Sequence, residues 1–330
     1  MTIHTPLRCS NSGMVSYGSG GAGKIILLNP GNYPSFKDFG NLSYIWNGTN
    51  GSGDWTQLNP TATLVDSTGP LGPALNGVKL SGRTAQVMAN DGTFVMVYGG
   101  AGSSSLAGVF QDTWLFNTST NVWTLASPAT TPYGRYNAEG ANLTGGGVVM
   151  FGGEIVGQIL NETWQWNGST WSQVSVPNGT GPAGRIGHCL VNGSTKVLLF
   201  GGRGNNSQFN DTWIYTSAGG WVNLNITGAA APSVRDGAAM CYDSVNNVWV
   251  MFGGQNEYNY LPETWTFNGT AWTKVTPTGG VAPAARIGAM MAFDTVSGTS
   301  IMYGGISATT MYPVNETWSF NAANSTWVLK

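Results

Sequence analysis

Charge is what this chain has least of. Only 8% of its 330 residues are Asp, Glu, Lys or Arg, and the formal net charge is −2. There is no basic field to hold nucleic acid or an anionic lipid surface, so both partners are excluded. No apolar run approaches the roughly 18 residues of a membrane span, and the N-terminal stretch lacks the basic, apolar and cleavage regions of a secretory signal, so membrane insertion is not expected. Cysteine is equally sparse. Three, an odd number, make no disulfide framework. Cys189 and Cys241, each twelve residues before a Gly-Gly doublet, read as small buried hydrophobes at equivalent positions of a repeat. His4 and His188 are the only histidines, and no zinc spacing, calcium loop or Ser/His/Asp arrangement stands out. No cofactor is expected.

What the chain does have is tryptophan, in a pattern. NETWQWNGSTW at 161–171 sets two tryptophans two apart, then a turn, then a third; NDTWIYTSAGGW, PETWTFNGTAW and NETWSFNAANSTW repeat the arrangement. Glycine doublets recur at Gly99-Gly100, Gly152-Gly153, Gly201-Gly202, Gly253-Gly254 and Gly304-Gly305, a period of about 50 residues. A short apolar run precedes each doublet, and an arginine lies 16 to 18 residues upstream of it: Arg83, Arg135, Arg185, Arg235 and Arg286. An acid-Thr-Trp step and a lone Trp follow. A degenerate first copy runs from Arg8 through IILL to Trp46 and Trp55, with Asn29-Pro30 at the doublet and Leu42 where the acid should stand.

Each copy resolves into four short strands. Alternation in WQW, WTF and WSF places both aromatics on one face, and Asn167-Gly168 and Asn268-Gly269 predict two-residue hairpins between the third and fourth strands. Six such units, 8–58, 83–126, 135–176, 185–226, 235–276 and 286–330, with an insertion at 59–82, predict an all-β, six-bladed propeller of four-stranded antiparallel blades forming one domain. The upstream Arg, the apolar run ending in Gly-Gly, the aromatic pair and the spaced Trp resemble the kelch family over roughly 83–330 and more loosely over 8–58. The resemblance implies the propeller fold. It implies less about function, because kelch propellers serve as binding scaffolds, as adaptors and, in the galactose-oxidase group, as copper enzymes. The His and Tyr ligands and cross-linkable cysteine of that copper site are not recognisable here. Many kelch propellers borrow a strand across the termini; this chain starts with an inner strand and ends with an outer one, so closure is expected to rest on packing between blades 1 and 6.

The tryptophans are then expected between blades, each burying roughly 150–250 Å². Arginine's planar fork suits a buried carboxylate, so Arg83, Arg135, Arg185, Arg235 and Arg286 are expected to pair with Asp112, Glu162, Asp211, Glu263 and Glu316, with a cationic ligand ring as the other reading. GSGGAGK at 18–24 matches phosphate-binding loops in composition but precedes a strand instead of a helix, so it reads as a hairpin loop.

Asn-x-Ser/Thr is over-represented, at Asn41, Asn47, Asn50, Asn117, Asn142, Asn161, Asn167, Asn178, Asn192, Asn205, Asn210, Asn225, Asn268, Asn315 and Asn324, against roughly six expected by chance. Turn chemistry explains part of this, since Asn-Gly makes a good turn by itself. N-linked glycans and an extracellular or cell-surface location account for the rest. The loops from second to third strand share a face with the blade connections and carry Tyr33, Phe36, Phe39, Phe110, Ile159, Phe209, Tyr258, Tyr260, Met311 and Tyr312. They are either folded over the blades or a contact face. The preferred expectation is a non-enzymatic surface propeller that partners itself, as a layer or filament, or another surface protein or glycan. The alternatives are a carbohydrate-active enzyme with its site on this face, and an intracellular kelch adaptor. Scarce carboxylates also suggest acid tolerance.

Overall fold

The computed structural model describes residues 13–17, 23–28, 43–48, 53–58, 65–66, 83–102 and 108–330. They form six antiparallel four-stranded meanders, each with its strands in chain order from the axis outward. Blade 1 comprises Gly13–Tyr17, Lys24–Leu28, Ser43–Asn47 and Asp54–Leu58. Blade 4, a regular example, comprises Cys189–Asn192, Val197–Phe200, Thr212–Thr216 and Gly220–Asn223. Each inner strand lies against those of its two neighbours, including Gly13–Tyr17 of blade 1 against Met290–Asp294 of blade 6, so the ring is closed. Among the described residues no helix is long and apolar enough to cross a membrane.

The second strand of each blade is the most deeply buried because it has a strand on either side and a blade on either face. Val197–Phe200 and Val148–Phe151 are essentially inaccessible, which is why these segments read as unbroken apolar runs. The tryptophans fill the seams. In each of five seams the last Trp of one blade donates its Nε1 proton to the hydroxyl of the acid-Thr-Trp threonine in the preceding blade: Trp171 to Thr113, Trp221 to Thr163, Trp272 to Thr212, Trp327 to Thr264 and Trp55 to Thr317, all at 2.9–3.0 Å. The indole thus buries its area and satisfies its one donor at once. The Trp55–Thr317 bond belongs to the closing seam, where Trp46 also donates to Asp294 at 3.3 Å. Among the described residues no strand is borrowed there; Ile25, Leu27, Tyr44, Trp46 and Trp55 pack directly on Met290, Ala292, Ile301 and Tyr303.

The glycine doublets have a steric cause. Gly201 has φ +67°, and a methyl group built on it would stand 2.6 Å from the Arg235 carbonyl oxygen of the next blade. Gly202 N–H donates to that same oxygen at 2.8 Å, as Gly100 does to Arg135. The doublet is therefore where one blade's backbone clips onto the next, and a side chain would hold them apart.

Three local expectations change. Asn167-Gly168 and Asn268-Gly269 do not form two-residue hairpins. Trp166 pairs with Trp171 and Phe267 with Trp272, leaving four-residue loops. In the first, Asn167 Oδ1 accepts from the amides of Ser169 and Thr170, at 3.0 and 2.9 Å. The asparagine side chain, more than the backbone twist, sets the turn. Cys189 and Cys241 are both buried and free, but they are not equivalent: Cys189 faces Phe200, next to its doublet, while Cys241 faces Val250, two residues farther away. The inner hairpin of blade 5 is longer, so equal sequence spacing lands at a different rung. Finally, Val65–Asp66 of the 59–82 insertion adds a parallel edge strand to Val122–Ala126.

Candidate functional site

Each of the five repeat arginines is buried and holds the acid of its own repeat. Arg185 is typical: it donates to Asp211 Oδ1 and Oδ2 at 2.5 and 2.8 Å, to the Gly201 carbonyl at 2.9 Å and to the Ala183 carbonyl at 2.9 Å. Arg83–Asp112, Arg135–Glu162, Arg235–Glu263 and Arg286–Glu316 pair at 2.5–2.7 Å. The Trp two residues after each acid donates to the same carboxylate, as Trp213 does to Asp211 at 2.7 Å. Burial opposes ionisation of Glu263, but hydrogen bonds from Lys274, Arg235 and Trp265 overcome it and hold the carboxyl down to about 2. Glu162 and Glu316 are lowered in the same way by Trp and Arg donors against the desolvation of burial. These arginines present no ring of charge to solvent. They staple the second and third strands to the incoming chain of each blade. Arg8 and Leu42 lie outside the described residues.

The face carrying the second-to-third loops divides the candidate contact residues into two groups. Phe110 and Phe209 are folded back, each with its ring 4.1 Å beneath the guanidinium of Arg83 or Arg185, a cation–π arrangement that supports the staple. Ile159 and Tyr260 are partly covered, tied into short bridges with Glu154 and Gln255. Tyr258, Met311 and Tyr312, by contrast, are 80, 62 and 56% exposed. Tyr133, Val156 and Val281, which the residue pattern did not single out, are exposed as well; they lie in blade connections or at a hairpin tip on this face. Tyr33, Phe36 and Phe39 lie outside the described residues.

None of the sequon asparagines with described side chains is buried: Asn161, Asn167, Asn178, Asn205, Asn225, Asn268, Asn315 and Asn324 are exposed, and Asn117, Asn142, Asn192 and Asn210 are half-buried. Asn41 and Asn50 lie outside the described residues, and only the backbone of Asn47 is described.

The third feature has no counterpart in the repeat. Inner strands of all six blades surround an axial cavity of roughly 340 Å³. At its long-loop end the chain turns into the inner strands of blades 2 to 6 through a residue with positive φ, at Ala85, Asn137, Gly187, Gly237 and Gly288. Asn137 N–H donates to the Ala85 carbonyl, Gly237 to Gly187 and Gly288 to Gly237, at 2.8–2.9 Å. These bonds draw the blades together around the axis. Gln86, Glu139 and His188 line the cavity. Gln86 and His188 are only 7 and 3% exposed, and among the described residues neither side chain has a hydrogen-bond partner for its nitrogen or oxygen atoms. Burial pushes the Glu139 carboxyl up to about 8. Burial, then the charge of Arg185, pushes the His188 imidazole down to about 3. Among the described residues no group of three or more His, Cys, Asp or Glu is placed to hold a metal ion; His4 lies outside them.

Residues 36–229 and 187–329 match the family model described as the KLHDC2/KLHL20/DRC7 Kelch-repeats domain. Among similar proteins, Tip elongation aberrant protein 1 of Schizosaccharomyces pombe is 27% identical over 197 residues, covering 56% of this chain and 17% of that protein. Multiple epidermal growth factor-like domains protein 8 of Mus musculus is 28% identical over 207 residues, 58% of this chain and 7% of that one. Dynein regulatory complex subunit 7 of Chlamydomonas reinhardtii is 33% identical over 126 residues, 37% of this chain and 11% of the other. The chain thus spans between 7 and 17% of the length of these relatives.

Proposed function

The chain belongs to the kelch-repeat family, and on that premise we propose that it is a non-enzymatic protein-binding module. It is an adaptor-type propeller whose long-loop face takes an uncharged, apolar peptide segment of another protein. The observation that carries this reading is the exposure of Tyr133, Val156, Tyr258, Met311 and Tyr312 together on that face. Large apolar side chains set at loop tips around one face, on a ring stapled rigid below them, are a contact surface that loses little entropy on binding. One relative is by its name a subunit of a dynein regulatory complex, and so a component of a protein assembly. The repeat acids are held by arginines, which leaves them unsuited to glycoside hydrolysis.

Selection of a random peptide library on the immobilised propeller tests this. Apolar, weakly charged peptides are expected to be enriched, and the triple variant Tyr258→Ser, Met311→Ser, Tyr312→Ser should weaken their binding by about 100-fold, as loss of clustered anchors does. Failure to enrich any peptide, or equal binding by the variant, would remove the reading. A second copy of the chain is the other occupant of the same face. Sedimentation that shows concentration-dependent association, abolished in the triple variant, would assign the face to self-assembly.

An extracellular, N-glycosylated life is a second reading, supported by the surplus of Asn-x-Ser/Thr and by the absence of any buried asparagine among those described. At Asn167 and Asn268 the carboxamide oxygen is tied into the turn, and the nitrogen that would carry a sugar has no partner among the described residues. Intact-mass measurement of the protein from its native source should show several hexose-containing adducts that peptide N-glycosidase removes. A mass equal to that of the bare chain would exclude this reading.

A further inference from the structure

The blade connections differ in how they are tied down. From blade 2 to blade 3, Thr130 bonds to the next blade's outer hairpin: its N–H donates to Thr170 Oγ1 and its carbonyl accepts from Trp171 N–H, both at 3.3 Å. From blade 5 to blade 6, Thr278 donates its N–H to the Ser325 carbonyl at 2.9 Å and its hydroxyl to the Asn324 carbonyl at 2.8 Å. From blade 4 to blade 5 the tie comes from the same blade, where Asn210 Nδ2 donates to the Pro232 carbonyl at 3.3 Å. Residues 175–184, from blade 3 to blade 4, have neither tie. Pro182 stands where Pro232 does, three residues before the arginine, and Asn161 stands where Asn210 does, directly before the acid. Yet among the described residues the Asn161 carboxamide has no hydrogen-bond partner, and no hydrogen bond joins this connection to the outer hairpin of blade 4.

The connection that stands off borders a cavity of roughly 410 Å³ on the flank of the blade 3–4 seam. Phe151 lines it, with its ring 5.2 Å from that of Trp221, and Val174, Val176 and Pro182 give it an apolar wall. The lining holds no lysine or arginine. Its one acid, Glu162, is committed to Arg135 and Trp164 at 2.6 and 2.9 Å. Nothing there draws an ion. The size, near the lower end of the 300–1,000 Å³ or so of ligand sites, suits one uncharged ring with an apolar face. Two residues of the lining, Asn161 in Asn-Glu-Thr and Asn178 in Asn-Gly-Thr, are exposed sequon asparagines. The cavity therefore carries its own attachment points for such a ring. Of the two, Asn161 is the one whose counterpart, Asn210, reaches across to its connection; Asn178 belongs to the connection itself.

Resting on the N-glycosylated reading, we propose that Asn161 is a glycosylation site whose first sugar seats in this cavity and ties residues 175–184 to blade 3, as the Asn210 carboxamide ties Pro232 to blade 4. The donor is a sugar linked to a lipid pyrophosphate, and the catalyst an oligosaccharyl transferase. Asn161 Nδ2 bonds to the anomeric carbon as the bond from that carbon to the pyrophosphate oxygen breaks. The lipid pyrophosphate leaves with the electron pair, and Nδ2 gives up one proton. Seated, the C–H face of the sugar covers Val174, Val176 and Pro182 while its hydroxyls stay at the rim.

Glycopeptide mapping of the protein from its native source tests occupancy, and a sugar on Asn161 is the expected result. Sugars on other sequons with Asn161 bare would overturn this assignment alone; a chain bare throughout would remove the N-glycosylated reading with it. Seating is tested by Asn161→Gln, made alongside the wild-type chain in a host that glycosylates and in one that does not. In the first host the variant should melt about 2–4 °C lower than wild type, the shift expected when a modest stabilising contact is lost. In the second the two should melt together, because the asparagine side chain itself has no partner to lose. Equal melting in both hosts, or an equal fall in both, would mean that the sugar stands in solvent and the cavity is not its seat.

Discussion

Replacing Arg185 with methionine is expected to destabilise the propeller by about 3–5 kcal/mol, the cost of removing one member of a buried ion pair. Methionine preserves much of the apolar stem but none of the donors. The Gly201 and Ala183 carbonyls lose their partner, Asp211 keeps only Trp213, and Phe209 loses the guanidinium above it. Lysine should recover little, because a single ammonium cannot reach two carboxylate oxygens and two carbonyls lying in different directions. Asp211→Asn should cost less, since that side chain is a quarter exposed and the amide retains an acceptor for Arg185 and Trp213. Denaturant titration of the three variants gives the ordering. A loss under about 1 kcal/mol for Arg185→Met would mean that the staple is ornamental and packing alone fixes the blades.

The second large effect is in pH. The Glu139 carboxyl is raised to about 8 from an ordinary 4.5, so its protonated form is favoured by folding; the stability it contributes is complete below about 4.5 and is lost as pH rises through about 8. His188 is lowered to about 3 from 6.5, so the unfolded chain binds the extra proton between those values and stability falls as pH drops through them. Between about 4.5 and 6.5 the two slopes oppose each other and stability is nearly flat. Above 6.5 Glu139 is no longer opposed by His188, and it contributes a decline of up to about 1.4 kcal/mol per pH unit. Below 4.5 His188 is joined by Glu263, Glu162 and Glu316, whose depressed carboxyls stabilise the fold above their unfolded value and lose that contribution as pH falls through the folded one. The acid tolerance expected from scarce carboxylates is thus opposed by the structural role of the few that are present. Chemical denaturation from pH 3 to pH 9 should show a plateau with two shoulders, and Glu139→Gln should extend the plateau past pH 8. Unchanged alkaline behaviour in that variant would place the alkaline transition elsewhere.

How much of this could be read from residues follows from how local the signals are. The repeat, the blade count, the strand alternation and the seam tryptophans depend on period and on side-chain size, both of which are written in order along the chain. The Arg–acid pairs were legible for the same reason: both members recur in every unit, so one geometry had to serve five times. Where one unit departed from the others, legibility failed. Cys241 slipped two paired positions from Cys189 because blade 5 has a longer inner hairpin. Phe110 and Phe209, indistinguishable by type from exposed loop aromatics, turned inward because a guanidinium plane lay within reach. Tyr133 and Val281 were passed over because they sit in blade connections, which carry no repeat signature of their own.

The axis was the least legible part. Gln86, Glu139 and His188 occupy three different blades, about 50 residues apart in sequence, and nothing in period or spacing says that their side chains share a cavity. Residue order fixes each unit because strand pairing and turn geometry act over a few residues; it does not say which polar groups a closed ring will strand at its centre. That is settled when Trp46 and Trp55 seat on blade 6 and the inner strands of six units converge, leaving the His188 imidazole and the Gln86 carboxamide buried with no partner among the described residues.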